Sequence, residues 1–157
     1  NILLGQFGEV YLMDSVVAKV CGMAADTEKD VPVDELYQRL TATGKRPGTP
    51  LYMSPEQISK NALVDERSDI FSMGVVLYEV LAQQEPFRGA NIEETFANIQ
   101  QLAPPPPSEI ARQITVPHAL DTICMRAIEK KAADRYPSIM EMVQEIRDFR
   151  QQAMLSI

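Results

Sequence analysis

The chain has 157 residues, 45% of them hydrophobic, and a formal net charge of −7. That length predicts one domain with a real core, and the acidic balance, with basic residues in no run or stripe, argues against nucleic acid or an anionic membrane as partner. Cys21 and Cys124 fit no metal spacing and read as reduced thiols, and there is no bilayer-spanning run or signal peptide, so the expected location is cytoplasmic, with an anchor elsewhere in a longer parent left open.

Asn1-Ile2-Leu3-Leu4 and Val10-Tyr11-Leu12-Met13 are β-favouring runs joined by Gly5-Gln6-Phe7-Gly8, whose turn chemistry predicts a hairpin. The first residue is not Met and already reads as strand, as expected of a piece of something longer. Asp14 alone reads as a strand-ending turn residue. From Cys21 to Pro47 the chain is polar and lacks periodicity, apart from Val33 to Leu40, which could form a helical turn or two; a loop this long is often functional. Ser54-Pro55-Glu56 predicts a short helix, with Ser54 as cap and Pro55 in the first position.

From Asp65 to Leu81 apolar side chains run almost all the way round a helical wheel, leaving Ser68, Ser72 and Glu79 as a narrow polar strip. Such a helix is expected in the middle of a domain. Asp69 falls on the apolar side, between Val76 and Val80, and is expected to be buried, where a carboxylate needs donors. It reads equally as an ordinary first-turn acid or as a group orienting a neighbouring loop.

Gln84-Glu85-Pro86-Phe87 breaks the pattern, and Asn91 caps a helix bearing Ile92, Phe96 and Ile99, with Glu94 placed as capping partner. Pro104 to Pro107 read as a stiff connector rather than a proline-motif ligand. Pro117 opens a helix with Leu120, Ile123, Cys124, Ala127 and Ile128 on one face; His118, the only histidine, reads as a solvated first-turn residue. Ser138 and Glu141 make a capping box for a last helix with Ile139, Met142, Val143, Ile146 and Phe149 inward. The eight methionines read as core filler.

Two blocks carry a family resemblance. Gly48-Thr49-Pro50-Leu51-Tyr52-Met53-Ser54-Pro55-Glu56 resembles the end of a protein kinase activation segment, which closes on Ala-Pro-Glu. Asp69-Ile70-Phe71-Ser72-Met73-Gly74 resembles the start of that family's central buried helix, in the right order and at the right distance. Gly5 to Tyr11 also resembles the kinase glycine-rich loop, with Val17-Ala18-Lys19 as the lysine strand. Spacing decides against that match, because Lys19 to Gly48 leaves no room for the control helix, hinge, long helix and catalytic loop. The start is instead similar to the hairpin after the catalytic loop of bacterial Ser/Thr kinases, where Asn-Ile-Leu-Leu-Gly leads to Leu-Met-Asp-Trp-Gly.

The chain thus looks like the C-terminal lobe of a bacterial-type protein Ser/Thr kinase with the N-lobe absent: mainly α with a short β-hairpin, within a kinase-like α+β fold. The resemblance assigns residues 1–152 to that lobe (1–20 the hairpin with a metal-binding aspartate, 21–56 the activation segment, 68–152 the helical subdomain) and 153–157 to a tail. It implies that Asn1 and Asp14 give oxygen to Mg²⁺ bridging the phosphates of ATP, and that Leu3 lies beneath the adenine. Thr49 would bridge the catalytic aspartate and lysine, a feature that goes with Ser/Thr protein substrates, while Leu51, Tyr52 and Met53 shape the pocket for the residue after the acceptor. Thr41 and Thr43, beside Lys45 and Arg46, would be phosphoacceptors. Glu56 would pair with Arg135 of Ala132-Ala133-Asp134-Arg135-Tyr136-Pro137.

One departure concerns activity. Asp14-Ser15-Val16 stands where the family has Asp-Phe-Gly or Asp-Trp-Gly; a β-branched valine resists the backbone angles glycine permits, and an aromatic plug is lost. The His-Arg-Asp loop, phosphate lysine, control-helix glutamate and glycine loop are also missing from the sequence. The resemblance therefore implies a parent that moves the ATP γ-phosphoryl group to protein Ser or Thr, and a chain that does not do so alone. The alternative is a pseudokinase or scaffold segment that binds partners.

Overall fold

The structure, a computed structural model, describes residues 2–12, 49–59 and 63–155. At its start Ile2–Leu4 (β1) pairs antiparallel with Val10–Leu12 (β2), with Ile2 opposite Leu12, Leu3 opposite Tyr11 and Leu4 opposite Val10. The turn closes with Gly5 N–H on the Glu9 carbonyl at 2.7 Å. Gly8 sits at φ 88°, which a side chain would strain. This hairpin and the residues from 49 onward belong to two different compact units.

Among its described residues the second unit holds helices and no strand. A 3₁₀ turn at Thr49–Tyr52 leads into α1 (Pro55–Ile58), followed by α2 (Arg67–Ala82), α3 (Ile92–Gln101), α4 (Pro107–Ile110), α5 (His118–Ala127), a 3₁₀ turn at Ala132–Asp134, and α6 (Ile139–Leu155). The capping signals act where the sequence places them. The Gln57 side chain accepts the Ser54 N–H at 2.8 Å, and Pro55 occupies the first turn of α1. Asn91 Oδ1 accepts Glu94 N–H at 2.8 Å, while Glu94 reaches back to the Ala90 N–H. Gln83 stops α2 in the left-handed conformation, φ 58°, its N–H on the Glu79 carbonyl at 2.8 Å.

α2 supplies the centre of the core. Phe71, Val75, Tyr78 and Leu81 pack with Phe87, Ile99, Cys124 and Ile128. A second cluster joins Ile70 to Ile123, Ala127, Tyr136 and Met142. α2 and α5 approach closely at Gly74, where a Cβ would lie 2.7 Å from Ala127 Cβ and 2.8 Å from Ile128 Cγ2. The proline run is the connector expected: Pro104 and Pro107 are buried, the Pro105 carbonyl accepts the Tyr78 hydroxyl at 2.8 Å, and Pro107 opens α4. His118 is solvated in the first turn of α5, as read. Along α6 Met142 is buried and Val143, Ile146 and Phe149 are half-buried, but Ile139, expected inward, is exposed. As the first residue of its helix it has no preceding turn to shield it. Among the described residues no helix is long and apolar enough to cross a membrane.

Candidate functional site

Within the second unit a clasp joins α1 to the loop before α6. Glu56, in the first turn of α1, meets Arg135 in a two-pronged pair: Nη1 to Oε1 at 2.7 Å and Nη2 to Oε2 at 2.8 Å. Arg135 is only 2% exposed. Its remaining N–H groups go to backbone carbonyls, Nη1 to Arg67 at 2.9 Å, Nε to Glu129 at 2.7 Å and Nη2 to Lys130 at 3.1 Å. All five donors of the guanidinium are thus engaged, which is the condition under which a buried charge is tolerated.

Ser68 Oγ donates a further bond to Glu56 Oε1 at 2.5 Å. Burial by itself would raise the Glu56 carboxyl; the bonds from Arg135 and Ser68 outweigh it and hold the group down at about 2, against an ordinary 4.5. The guanidinium also lies 4.9 Å from the centre of the Phe71 ring.

Beside the clasp, α2 turns its polar strip inward. Ser68 is buried on Glu56, Ser72 Oγ donates to the Tyr52 carbonyl at 2.7 Å, and Glu79 Oε2 accepts the Tyr52 hydroxyl at 2.7 Å. Burial, then the bond to Glu79, pushes the Tyr52 hydroxyl up to about 12. The strip read from the wheel is an internal polar seam holding residues 52–56, with Leu51 buried and Tyr52 and Met53 half-buried alongside.

Asp69 corrects the sequence reading. It was expected to be buried on the apolar side of the helix, and it is exposed, as are Met73 and Val80 on the same side. The reason is rotational: the polar strip is bound to residues 52–56 by its own hydrogen bonds, and that turns the 69–73–80 side toward solvent.

The other predicted positions are reached only in part. Leu3, on β1, is 54% exposed. Thr49 begins the 3₁₀ turn, but its side chain, together with Asn1, Asp14, Thr41, Thr43 and the Val33–Leu40 stretch, lies outside the described residues. Among the described residues no group of three His, Cys, Asp or Glu could hold a metal ion. Cys124 is buried, and burial, then the charge of Asp121, pushes its thiol up to about 12, which leaves it unreactive. Two participants were not anticipated. The Tyr52–Glu79 bond joins a residue read as pocket wall to one read only as part of a narrow polar strip, and Lys130 carries no pattern that marks it out.

A model of the protein kinase domain matches residues 1–146. The chain belongs to the protein kinase family. Within that family it is 34% identical over 148 residues to the serine/threonine-protein kinase PknD of Chlamydia pneumoniae, covering 93% of this chain and 16% of the relative. To PknD of Chlamydia trachomatis serovar D it is 35% identical over 159 residues, covering 96% and 17%. To PknD of Chlamydia abortus it is 31% identical over 154 residues, covering 96% and 16%. The chain therefore spans about a sixth of the length of these curated relatives. Among the described residues this kinase-family segment is mainly helical with a two-stranded hairpin, and its clasp joins the first turn of α1 to the loop preceding the last helix.

Proposed function

We propose that the parent protein is a serine/threonine kinase that transfers the γ-phosphoryl group of ATP to Ser or Thr of protein substrates, and that these 157 residues do not do so alone. The kinase-domain match over residues 1–146 carries the reading. Phosphoryl transfer is mostly positioning and charge neutralisation. The Glu56–Arg135 clasp and the Ser72 and Glu79 bonds fix the residues that would receive the substrate, Leu51 to Met53. Thr49, at the head of the same turn, would orient the acceptor, with Thr41 and Thr43 as sites of activating phosphorylation. Asn1 and Asp14 are hard oxygen donors of the kind Mg²⁺ takes, and would hold the ion that offsets the ATP phosphate charge, with Leu3 against the adenine.

The second part rests on sequence content: no His-Arg-Asp triplet occurs in the 157 residues, so nothing here takes the proton from an acceptor hydroxyl. The test is phosphate transfer from labelled Mg-ATP to a general protein substrate. The full-length parent is expected to give phosphoserine or phosphothreonine, and the isolated chain none. Turnover by the purified chain that Asp14→Asn abolishes overturns the second part; a full-length protein that binds ATP yet labels no Ser or Thr overturns the first.

Asp14-Ser15-Val16 favours a second reading, a pseudokinase segment that serves as a protein-binding scaffold. Nucleotide separates the two: an active kinase gains thermal stability from Mg-ATP in the full-length protein, and a scaffold without a working ATP site does not.

A further inference from the structure

Lys130 lies between the clasp and α3 and is bound to both. Its ammonium donates to the Ile99 carbonyl at 2.7 Å and the Asn98 carbonyl at 3.3 Å, in the last turn of α3. α3 ends with Leu102 N–H on the Asn98 carbonyl, so Ile99 is the first carbonyl past the last intrahelical bond. A cation there also meets the negative end of the helix dipole. At the other end of the residue, the Lys130 backbone carbonyl accepts Arg135 Nη2 at 3.1 Å.

A second path runs through the rings. Lys130 Nζ is 3.8 Å from the centre of Phe87, Phe87 stacks on Phe71 at 5.7 Å and 12°, and the Arg135 guanidinium covers Phe71. Two cations thus bracket one aromatic pair, and each is committed elsewhere: Arg135 to Glu56, Lys130 to α3.

We propose that Lys130 is a positioning residue that couples the Glu56–Arg135 clasp to the C-terminal end of α3, so that losing the clasp loosens α3. Coupling of this kind is carried by chains of packed and hydrogen-bonded groups, and here such a chain runs from Arg135 through Lys130 to α3. The ammonium is half-buried, and burial, then the nearby Arg135 charge, lowers it to about 8. A desolvated cation with two carbonyls and one ring for company has little water to fall back on when its backbone shifts. This coupling is independent of the phosphoryl chemistry.

Segment-resolved hydrogen exchange on the chain tests it, with α5 as internal control. Lys130→Met keeps the stem and removes the charge; exchange in residues 95–102 is expected to rise on the order of tenfold, as for loss of one charged hydrogen bond, with α5 unchanged. Glu56→Gln is expected to speed α3 by a similar factor when Lys130 is present and much less in the Lys130→Met background, which is the signature of coupling in a double-mutant cycle. If Glu56→Gln also opens α5, Ser68→Ala, which removes only the Ser68 bond to Glu56, replaces it in the same comparison. No change in α3 with Lys130→Met, or equal factors in both backgrounds, overturns the proposal.

Discussion

Arg135 gives each of its five N–H groups a partner, and Glu56 alone among those partners carries charge. Arg135→Met should therefore destabilise the chain by about 3–5 kcal/mol, because it strands a carboxylate that is mostly shielded from water. Urea unfolding of the two chains measures it, and a loss below about 1 kcal/mol would mean that Glu56 finds water instead. The pH dependence has a definite sign. The Glu56 carboxyl is held at about 2, below its ordinary 4.5, so its contribution is fully present above pH 4.5 and is lost as pH falls through about 2. The native chain should lose more stability across that window than Glu56→Gln, in urea titrations run at each pH. Asp69, being exposed, predicts the opposite extreme: Asp69→Asn should change the stability of this chain by no more than about 0.5 kcal/mol. At this scale the pair was legible only through the family resemblance, since Glu56 and Arg135 each look like solvated surface when read alone. Lys130 was not legible at all, because its hydrogen-bond acceptors are backbone carbonyls, which leave no mark in sequence, and its ring partner Phe87 lies 43 positions away.

Among elements, α2 shows what periodicity can and cannot determine. The wheel groups Ser68, Ser72 and Glu79 correctly, but angle alone does not say which neighbour a polar strip meets. Here it meets Glu56 and Tyr52, so the strip is internal and the solvent side carries Met73 and Val80. The caps at Ser54 and Asn91 were legible because they are local, with donor and acceptor within three residues. Gly74 was not singled out, since its meaning lies in α5. A methyl group at that position would come within 2.7 Å of Ala127 Cβ, and Gly74→Ala should cost about 1–3 kcal/mol despite the gain in helix propensity. Differential scanning calorimetry checks this; an increase in Tm would show that the two helices separate freely.

For the whole molecule, the mainly helical class and the hairpin were readable from run lengths and turn residues, and the structure supports both. What composition could not show is that α2, apolar nearly all round, keeps one side open, with Met73 at 41% and Val80 at 66% exposure. Exposed apolar side chains on one helix side favour association. Met73→Lys together with Val80→Lys should reduce concentration-dependent self-association in sedimentation velocity runs, and an unchanged profile would place the adhesive surface elsewhere.

The clasp spans 79 positions of chain. At a ribosomal pace of about 5–20 residues per second, Arg135 is made roughly 4–16 s after Glu56. Until then the Glu56 carboxylate lacks the guanidinium that holds it in the folded chain. Newborn chains therefore pass through an interval in which Glu56 is unlatched, and a pause in translation just short of Arg135 would lengthen it.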